Sequence, residues 1–238
     1  MRVLLPAILF LVFSCSSDPD TTQEQVPDQS FTESFDQASS AVSRGWVFSN
    51  QSVVLGTTNW NNPSDPPFDA YLPSGSTNSY LWADYNSTTS AAGIISNWAI
   101  SPELIFQNGD KISFYTRAQL YGLNGDSTDF ANRLQVRLNT RNTGLDVGSG
   151  NSVGDYTDLL VDINPTYAEF ILSDWNNRLP DALNAFPHRW TRFEATIKGL
   201  PEPVKGRFAF RYFMEDAGNN GRGSAIGIDQ VEYLSISR

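Results

Sequence analysis

The sequence is poor in the residues that build redox and metal sites. It contains one cysteine, Cys15, and one histidine, His188. One cysteine cannot form an intrachain disulfide, and these two residues cannot supply a Cys/His zinc site. A Ser-His-Asp triad would have to use His188, but no Gly-x-Ser-x-Gly segment is present to offer the serine. We therefore expect His188 to be structural or exposed, and we predict no catalytic residue.

Positive charge is also scarce. The chain has 16 Lys and Arg against 26 Asp and Glu, which gives a net charge of −10. Nucleic-acid binding needs clustered basic side chains that face the phosphates, so we expect no nucleic-acid partner. An acidic chain fits a soluble surface protein or a cation-binding protein, and composition does not choose between them. With 40% hydrophobic and 13% aromatic residues, the chain can build a packed core.

The first residues are typical of an export signal. Arg2 supplies the positive start, and the apolar run from Val3 to Phe13 is broken only by Pro6. That run is too short to span a bilayer. The sole cysteine follows directly, and the segment Val-Phe-Ser-Cys resembles the lipobox of bacterial lipoproteins, although Phe13 departs from the small residue usual there. We predict a signal peptide over residues 1–14 and acylation of Cys15. The alternative is a plain signal peptide with an incidental cysteine.

Residues 15–30 are predicted to form an acylated, flexible tether. The segment after Cys15 carries four acids, no base and, besides its prolines, one apolar residue, Val26. Ser16 resembles the residue that routes lipoproteins to the outer membrane, and the acidic run resembles surface-export signals in the Bacteroidetes. We expect a protein that is anchored in the outer membrane by its lipid alone. Whether it faces the periplasm or the cell surface stays open at this stage.

From residue 31 onward the chain alternates between polar and apolar residues. Arg133–Leu138 alternates without a fault, and residues 205–214 place Phe208 and Phe210 on one face with Arg207 and Arg211 on the other. This period of two indicates half-buried antiparallel strands. Apart from one or two possible turns within residues 174–185, no helical period stands out. We predict one all-β domain over residues 31–238, a jelly-roll β-sandwich of two antiparallel sheets. The further predicted strands are Phe31–Phe35, Trp46–Phe48, Tyr80–Tyr85, Gly93–Ile100, Asp110–Ala118, Asp158–Ile163, Phe193–Lys198 and Ile226–Ile236.

An ordered set of short segments runs through this domain. It comprises Glu33-Ser34-Phe35-Asp36, Gly45-Trp46, Tyr80-Leu81-Trp82, Asn97-Trp98-Ala99-Ile100-Ser101-Pro102, Lys111-Ile112-Ser113-Phe114, Trp190-Thr191-Arg192-Phe193, Phe208-Ala209-Phe210-Arg211-Tyr212 and Ile226-Gly227-Ile228-Asp229-Gln230-Val231. In this order they resemble the choice-of-anchor J family, also called the cleaved-adhesin domain. Gln230 departs from the family's usual second Asp. The resemblance implies a jelly roll that occurs in adhesins, secreted proteases and surface lipoproteins, and it implies no single activity.

Three acids are candidates for a structural calcium site. Alternation places Glu33 on the same face as Phe31 and Phe35, so its carboxylate would enter the core, and Asp229 lies similarly on the last predicted strand. A buried carboxylate must be paired, protonated or bound to metal. First and last strands commonly pair in jelly rolls, so these oxygens would converge, with Asp36 as a third ligand. The alternative is that Glu33 or Asp229 caps a strand or pairs with an arginine.

Aromatic residues near loops are candidates for glycan stacking. The predicted ligand-binding residues are Trp60 with Asn61, and Trp175 with Asn176 and Arg178, because each ring lies beside side chains that can bond to hydroxyl groups. The alternative is that such rings pin loops to the sandwich. The other tryptophans, which fall in predicted strands, are expected in the core: Trp46, Trp82, Trp98 and Trp190.

The leading hypothesis is therefore a non-catalytic binding module at the cell surface, with a glycan or a surface protein as its partner. One alternative is a structural or adhesive component of an envelope assembly without a small ligand. A third reading is a glycan hydrolase, since paired acids are plentiful, but the sequence distinguishes no pair.

Overall fold

The computed structural model of the protein describes residues 26–72, 76–123, 126–170 and 184–236. Within these ranges the chain is almost entirely β-structure. None of the helices found there is long and apolar enough to cross a membrane.

The strands confirm the alternation read from the sequence, with shifts of one to three residues at several ends. Gly93–Ile100 and Asp158–Ile163 have the predicted bounds. Short elements without a repeating pattern were not predicted, among them a six-residue helix and a three-residue strand. The elements are β1 (Phe31–Glu33), α1 (Ala38–Ser43), β2 (Val47–Asn50), β3 (Leu81–Asp84), a 3-10 helix (Tyr85–Ser87), β4 (Gly93–Ile100), β5 (Leu104–Phe106), β6 (Lys111–Ala118), β7 (Tyr121–Leu123), β8 (Asp126–Thr128), β9 (Leu134–Asn139), β10 (Asp158–Ile163), β11 (Thr191–Thr196), β12 (Val204–Ala217) and β13 (Ala225–Leu234).

Two antiparallel sheets form the sandwich, as predicted. Sheet A has the order β1-β13-β6-β11, and β3 pairs with the first half of β13. Sheet B has the order β10-β9-β12-β4-β2, and β5 pairs with the start of β12. The first and last strands are neighbours, with Phe31 opposite Tyr233 and Glu33 opposite Val231. The expected pairing of the first and last strands, β1 and β13, is therefore confirmed.

The core between the sheets is largely aromatic. On β12 the predicted inward face is fully buried, since Phe208, Phe210, Tyr212 and Met214 all have 0% exposure. Trp46 lies across this row, 5.8 Å from the ring of Phe208. Burying each such ring stabilises the fold by roughly 1.5–3 kcal/mol. Phe114 of sheet A meets Phe210 of sheet B edge to face at 4.9 Å, so the two sheets share one core.

Arginines of sheet B hydrogen-bond to the segment of residues 143–156, which covers the outer face of that sheet. Arg211 is 2% exposed and donates to the carbonyls of Gly150 and Ser152, and Arg207 donates to the carbonyl of Thr143. Arg137 donates to the carbonyl of Tyr156. Carbonyl oxygens thus satisfy these guanidinium groups in place of carboxylates. Sheet B therefore offers little free surface on this side.

The end of the predicted tether already contacts the sandwich. The amide of Gln29 donates to the carbonyl of Ile105 and accepts from its N–H, at 3.1 and 3.0 Å. The Oγ of Ser30 accepts the N–H of Ser235 at 3.0 Å. The chain therefore enters the domain at the end where β13 finishes.

Candidate functional site

The outer face of sheet A carries a row of polar side chains across four strands. The register aligns Thr32 with Glu232, Glu232 with Ser113, and Ser113 with Glu194. Alternation points all four away from the core, because their neighbours Ile112, Phe114 and Tyr233 are fully buried. We call these four residues the polar row. At about 4.8 Å between strands, the row spans on the order of 14 Å.

Three partly exposed rings stand beside the polar row. Tyr115 is the next outward residue of β6, and the ring of Tyr71 stacks on it with 3.7 Å between centroids and 18° between planes. Trp190, just before β11, meets Tyr71 edge to face at 6.5 Å. Its indole N–H donates to the carbonyl of Asp69 at 2.8 Å. We call Tyr71, Tyr115 and Trp190 the aromatic wall.

A second layer of rings holds this wall against the sheet. Phe68 stacks on Tyr80 at 5.0 Å and meets Trp190 edge to face at 5.6 Å. Both rings lie over Gly227, where a Cβ atom would come within 3.0 Å of Trp190, Phe68 and Tyr80. Only glycine leaves room for this layer. The Gly-Ile-Asp segment that marked the family resemblance therefore has a packing role here.

Asp229 fastens the segment that carries Tyr71. Its side chain is fully buried, and its Oδ2 accepts the N–H of Tyr71 at 2.9 Å while its Oδ1 accepts the N–H of Gln230 at 2.7 Å. Burial, together with the nearby charge of Asp36, raises the pKa of Asp229 to about 6, although the N–H donors oppose the shift. The carboxylate thus sits under the aromatic wall without being open to solvent.

Charges on the polar row are compensated locally. Lys111 and Arg192 both pair with Glu194, at 2.9 and 3.0 Å. Hydrogen bonds to these two cations lower the pKa of Glu194. Ser113 donates to Glu232 at 3.2 Å. The exposed face therefore presents hydrogen-bonding groups without a large net charge.

A polar groove of about 950 Å³ continues this surface past β1. At its floor, Glu33 accepts two hydrogen bonds from Arg44, at 2.8 and 2.6 Å. Glu33 is 3% exposed, whereas the Arg44 side chain is 53% exposed. The lining is mostly neutral and polar, and it consists of Thr32, Glu33, Ser34, Asp36, Gln37, Ser40, Arg44, Asn62, Ser76, Asn78 and Ser79.

The calcium site stays a prediction, and the residues proposed for it make other contacts in this structure. Glu33 is engaged by Arg44, as in the arginine-pair alternative, and both oxygens of Asp229 accept backbone N–H groups. A calcium ion needs oxygen ligands turned toward it, and these carboxylates already face donors. Asp36 is exposed and lies near enough to Asp229 to affect its pKa. Within the part of the chain described, no group of three or more His, Cys, Asp or Glu residues could hold a metal ion.

The predicted ligand-binding residues differ in their exposure to solvent, and three of them lie outside the described residues. Trp60 is 3% exposed and belongs to the core, so its proposed role in stacking on a ligand is wrong. Asn61 is exposed, and its backbone exchanges two hydrogen bonds with Trp82. The remaining three candidates, Trp175, Asn176 and Arg178, lie outside the described residues, as does Cys15.

Two tryptophans expected in the core are on the surface side instead. Trp46 and Trp98 are buried as expected, with 1% and 0% exposure. Trp82 and Trp190 are partly exposed on the outer face of sheet A. Alternation assigns faces only inside a strand, and Trp190 precedes the first residue of β11. Tyr115 could have been found from the sequence, because it alternates with the inward Phe114.

The carboxylates with shifted pKa values lie in different environments, and Asp129 among them lines a groove of about 290 Å³ with Glu169 and Asp216. Burial raises the pKa of Asp84 and of Asp129, and both accept backbone N–H groups, from Asn86 and Ala131 respectively. Glu194, the ion-paired acid on the open face, has a lowered pKa. A glycosidase needs an accessible acid that stays protonated, and neither Asp84, which is buried, nor Glu194, whose pKa is lowered, meets that need.

The two sheets form a β-sandwich whose fold is shared by solved cleaved adhesin domains. The K1 cleaved adhesin domain of Lys-gingipain from Porphyromonas gingivalis W83 is 19% identical, with a TM-score of 0.50 over 87% of this chain and 99% of that chain. The K3 domain of the same protein is 16% identical, with a TM-score of 0.51 over 88% of this chain and 100% of that one. The cleaved-adhesin resemblance is thereby confirmed at the level of the fold, and the narrower assignment to choice-of-anchor J stays a prediction. No protein-family model matches the sequence, and no curated protein does.

Proposed function

We propose that the protein is a non-catalytic module that binds a glycan on the outer face of sheet A. The observation that carries this proposal is the aromatic wall of Tyr71, Tyr115 and Trp190 beside the polar row. Aromatic rings offer apolar faces at low conformational cost, and the polar side chains offer hydrogen bonds that fix orientation. A sugar ring has one apolar face and a rim of hydroxyl groups, so it matches both parts.

The electrostatics of the site support binding without hydrolysis. The open acid Glu194 is neutralised by Lys111 and Arg192, whereas Asp229, whose pKa is about 6, is closed off from any ligand. The same local neutrality favours an uncharged glycan over a polyanion. The sandwich then serves as a rigid scaffold for recognition.

The location that we propose is the outer membrane, with Cys15 as the lipid anchor. Its support is the apolar run that ends at the sole cysteine. The tether reaches the sandwich at Ser30, opposite Ser235, whereas Gly227 under the aromatic wall lies near the other end of β13. From Tyr233 back to Gly227 is on the order of 20 Å along the strand. The aromatic wall therefore stands away from the membrane end.

The test is a glycan array followed by titration calorimetry on the chain from residue 16 onward. We expect Tyr115→Ala and Trp190→Ala each to weaken binding of the best glycan at least about tenfold, because each removes a ring face. Leu159→Ala is the matched control, since Leu159 is 47% exposed on sheet B. If no glycan binds, or if all three variants bind like the wild type, the proposal is wrong.

A second candidate function is adhesion to a protein partner. The observation that favours it is a run of three exposed aliphatic residues at the edge of sheet B, Val53, Val54 and Leu55, with 46%, 58% and 59% exposure. Such runs mark contact surfaces on soluble proteins. A Val54→Glu/Leu55→Glu variant that lost an envelope partner in cross-linking, while it kept glycan affinity, would support this second function.

A further inference from the structure

We infer that Asp229 is a positioning residue that holds Tyr71 in the aromatic wall, in place of the cation-ligand role that the sequence suggested. The inference rests on the proposed function for its affinity measurement only. Its structural part concerns the chain itself.

The carboxylate fixes the backbone of Tyr71 at the point where the ring of Tyr71 meets the sheet. Asp229 accepts the Tyr71 N–H at 2.9 Å, and Asp229 is the Cα partner of Tyr115 in the register of sheet A. The ring of Tyr71 stacks on that same Tyr115 at 3.7 Å. Two neighbouring residues of the sheet thus determine both the main chain and the side chain of Tyr71.

A local irregularity of β13 aims the carboxylate. The pairing of β13 with β6 shifts register between Asp229 and Glu232, and Gln230 has φ of +47°. A bulge of this kind bends a strand and redirects a side chain. A non-glycine residue at positive φ costs energy and persists only where surrounding contacts require it. Here those contacts are the hydrogen bonds from Tyr71 and Gln230 to the carboxylate.

The hydrogen bonds at Asp229 are the kind that a neutral side chain cannot reproduce. A charged acceptor makes shorter and stronger bonds to N–H groups than a neutral one. Asparagine at this position would turn an NH₂ group toward one of the N–H donors of Tyr71, Leu72 and Gln230, and that donor would lose its partner. The Tyr71 segment would then open more often, while the ring layer of Phe68 and Tyr80 stayed in place.

Asp110 provides a matched control at the opposite end of sheet A. It is also fully buried, and it accepts the N–H groups of Gln107 and Ile236 at 2.8 and 2.9 Å and the hydroxyl of Tyr233 at 2.6 Å. Asp110→Asn therefore removes a buried, donor-filled carboxylate without touching the aromatic wall. Both variants are made in the chain from residue 16 onward, which keeps every described residue.

Amide hydrogen exchange measures the opening of the Tyr71 segment directly. In Asp229→Asn we expect the protection of the Tyr71 amide to fall about tenfold or more, with the Ile94 amide, bonded to Val53 on sheet B, as internal reference. Glycan affinity should fall by a similar factor. Asp110→Asn should leave Tyr71 protection and affinity at wild-type values. Should Asp229→Asn not fold, Asp229→Ser replaces it with the same expectation.

A double-mutant cycle separates positioning from general loss of structure. If Asp229 acts through Tyr71, Asp229→Asn should cost little further affinity in a Tyr71→Ala background. Unchanged Tyr71 protection in Asp229→Asn, or equal losses of affinity in the Asp229 and Asp110 variants, would overturn the inference. So would a rise in wild-type melting temperature with millimolar calcium that Asp229→Asn abolishes. If the wild type binds no glycan, the proposed function fails, and the exchange of the Tyr71 amide still decides the role of Asp229.

Discussion

The packing of the aromatic wall can be tested by the substitution Gly227→Ala, which adds one methyl group. In Gly227→Ala the new Cβ would lie 2.8 Å from Trp190, 2.9 Å from Phe68 and 3.0 Å from Tyr80. Overpacking of this kind costs about 1–3 kcal/mol, which lowers the melting temperature by roughly 2–10 °C in a chain of this size. Because the ring of Trp190 is displaced, glycan affinity should fall as well.

Gly144→Ala is the comparison for Gly227→Ala, since its added Cβ would mainly meet the end of the exposed Asn142 side chain. Calorimetric melting and glycan titration of both variants check the prediction. A Gly227→Ala protein that melted and bound like the wild type would show that the wall does not depend on contact over Gly227.

Because Asp229 titrates at a different pH in the folded and unfolded chain, the free energy of unfolding depends on pH. Its pKa is about 6 in the folded chain against 3.8 for the unperturbed group, so the folded state binds the proton more tightly. The contribution of Asp229 to stability is therefore fully present below pH 4 and is lost as the pH rises through 6. The shift corresponds to about 2–3 kcal/mol.

We expect the melting temperature of the wild type, relative to that of Asp229→Asn, to increase when the pH is lowered from 7.5 to 4.5. Other groups titrate alike in both proteins, so the difference isolates Asp229. Melting curves of the two proteins over this pH range check the prediction. A difference that stays constant with pH would contradict it.

At the scale of elements, the strand that opens the domain is short and depends on the residues before it. β1 has three residues, and Gln29 and Ser30 add three hydrogen bonds to Ile105 and Ser235. A fragment that begins at Phe31 loses these bonds. At about 1 kcal/mol each, the loss should lower melting by several degrees relative to the chain from residue 16.

A fragment that begins at Val26 keeps Gln29 and Ser30, so it should melt like the chain from residue 16. Thermal unfolding of the three proteins, followed by circular dichroism, checks this. Equal melting temperatures for all three would mean that the contacts of Gln29 and Ser30 contribute nothing to stability.

Strand positions followed from the sequence because alternation is a local property. The alternation over Asp110–Ala118 and Lys205–Met214 predicts two strands, observed as Lys111–Ala118 and Val204–Ala217, because inward and outward residues differ sharply in polarity. α1 and β5 were missed because six or three residues are too few to show a period. Antiparallel pairing of β1 with β13 was also predictable, from the habit of jelly rolls to join their ends.

The site was harder to predict because it depends on a loop that crosses the sheet. Nothing local in the sequence shows that Tyr71 lies over Tyr115, or that Trp60 turns inward while Trp190 turns outward. Trp190 is placed by packing over Gly227, Tyr71 by its contacts with Asp229 and Tyr115, and Trp60 by the core. The polarity of Asp229 gave a correct signal, a buried acid on the last strand, but the group that satisfies it is the backbone of a distant segment.

At the scale of the whole molecule, the proposed lipid anchor at Cys15 would decide which side of the sandwich faces away from the membrane. A net charge of −10 disfavours direct contact with an anionic membrane, so attachment would depend on the proposed lipid. The tether joins the sandwich beside Ser235, at the end of sheet A farther from Gly227. A ligand on the aromatic wall would therefore approach from the side that the membrane does not cover.

The last prediction concerns Cys15. If it is acylated, the wild type should fractionate with the outer membrane, because two or more acyl chains anchor a protein stably whereas one gives only marginal binding. Cys15→Ala removes the acceptor thiol and should shift the protein to the soluble fraction. Its melting temperature should not change, since Gln29 is the first of the described residues that hydrogen-bonds to the sandwich. Ser16→Ala is the control for altering this site without removing the thiol, and it should stay membrane-bound. A Cys15→Ala protein that remained in the membrane fraction as fully as the wild type would overturn the lipoprotein assignment. Protease added to intact cells then separates the two orientations, because only an outward-facing domain is cleaved while the membrane is closed.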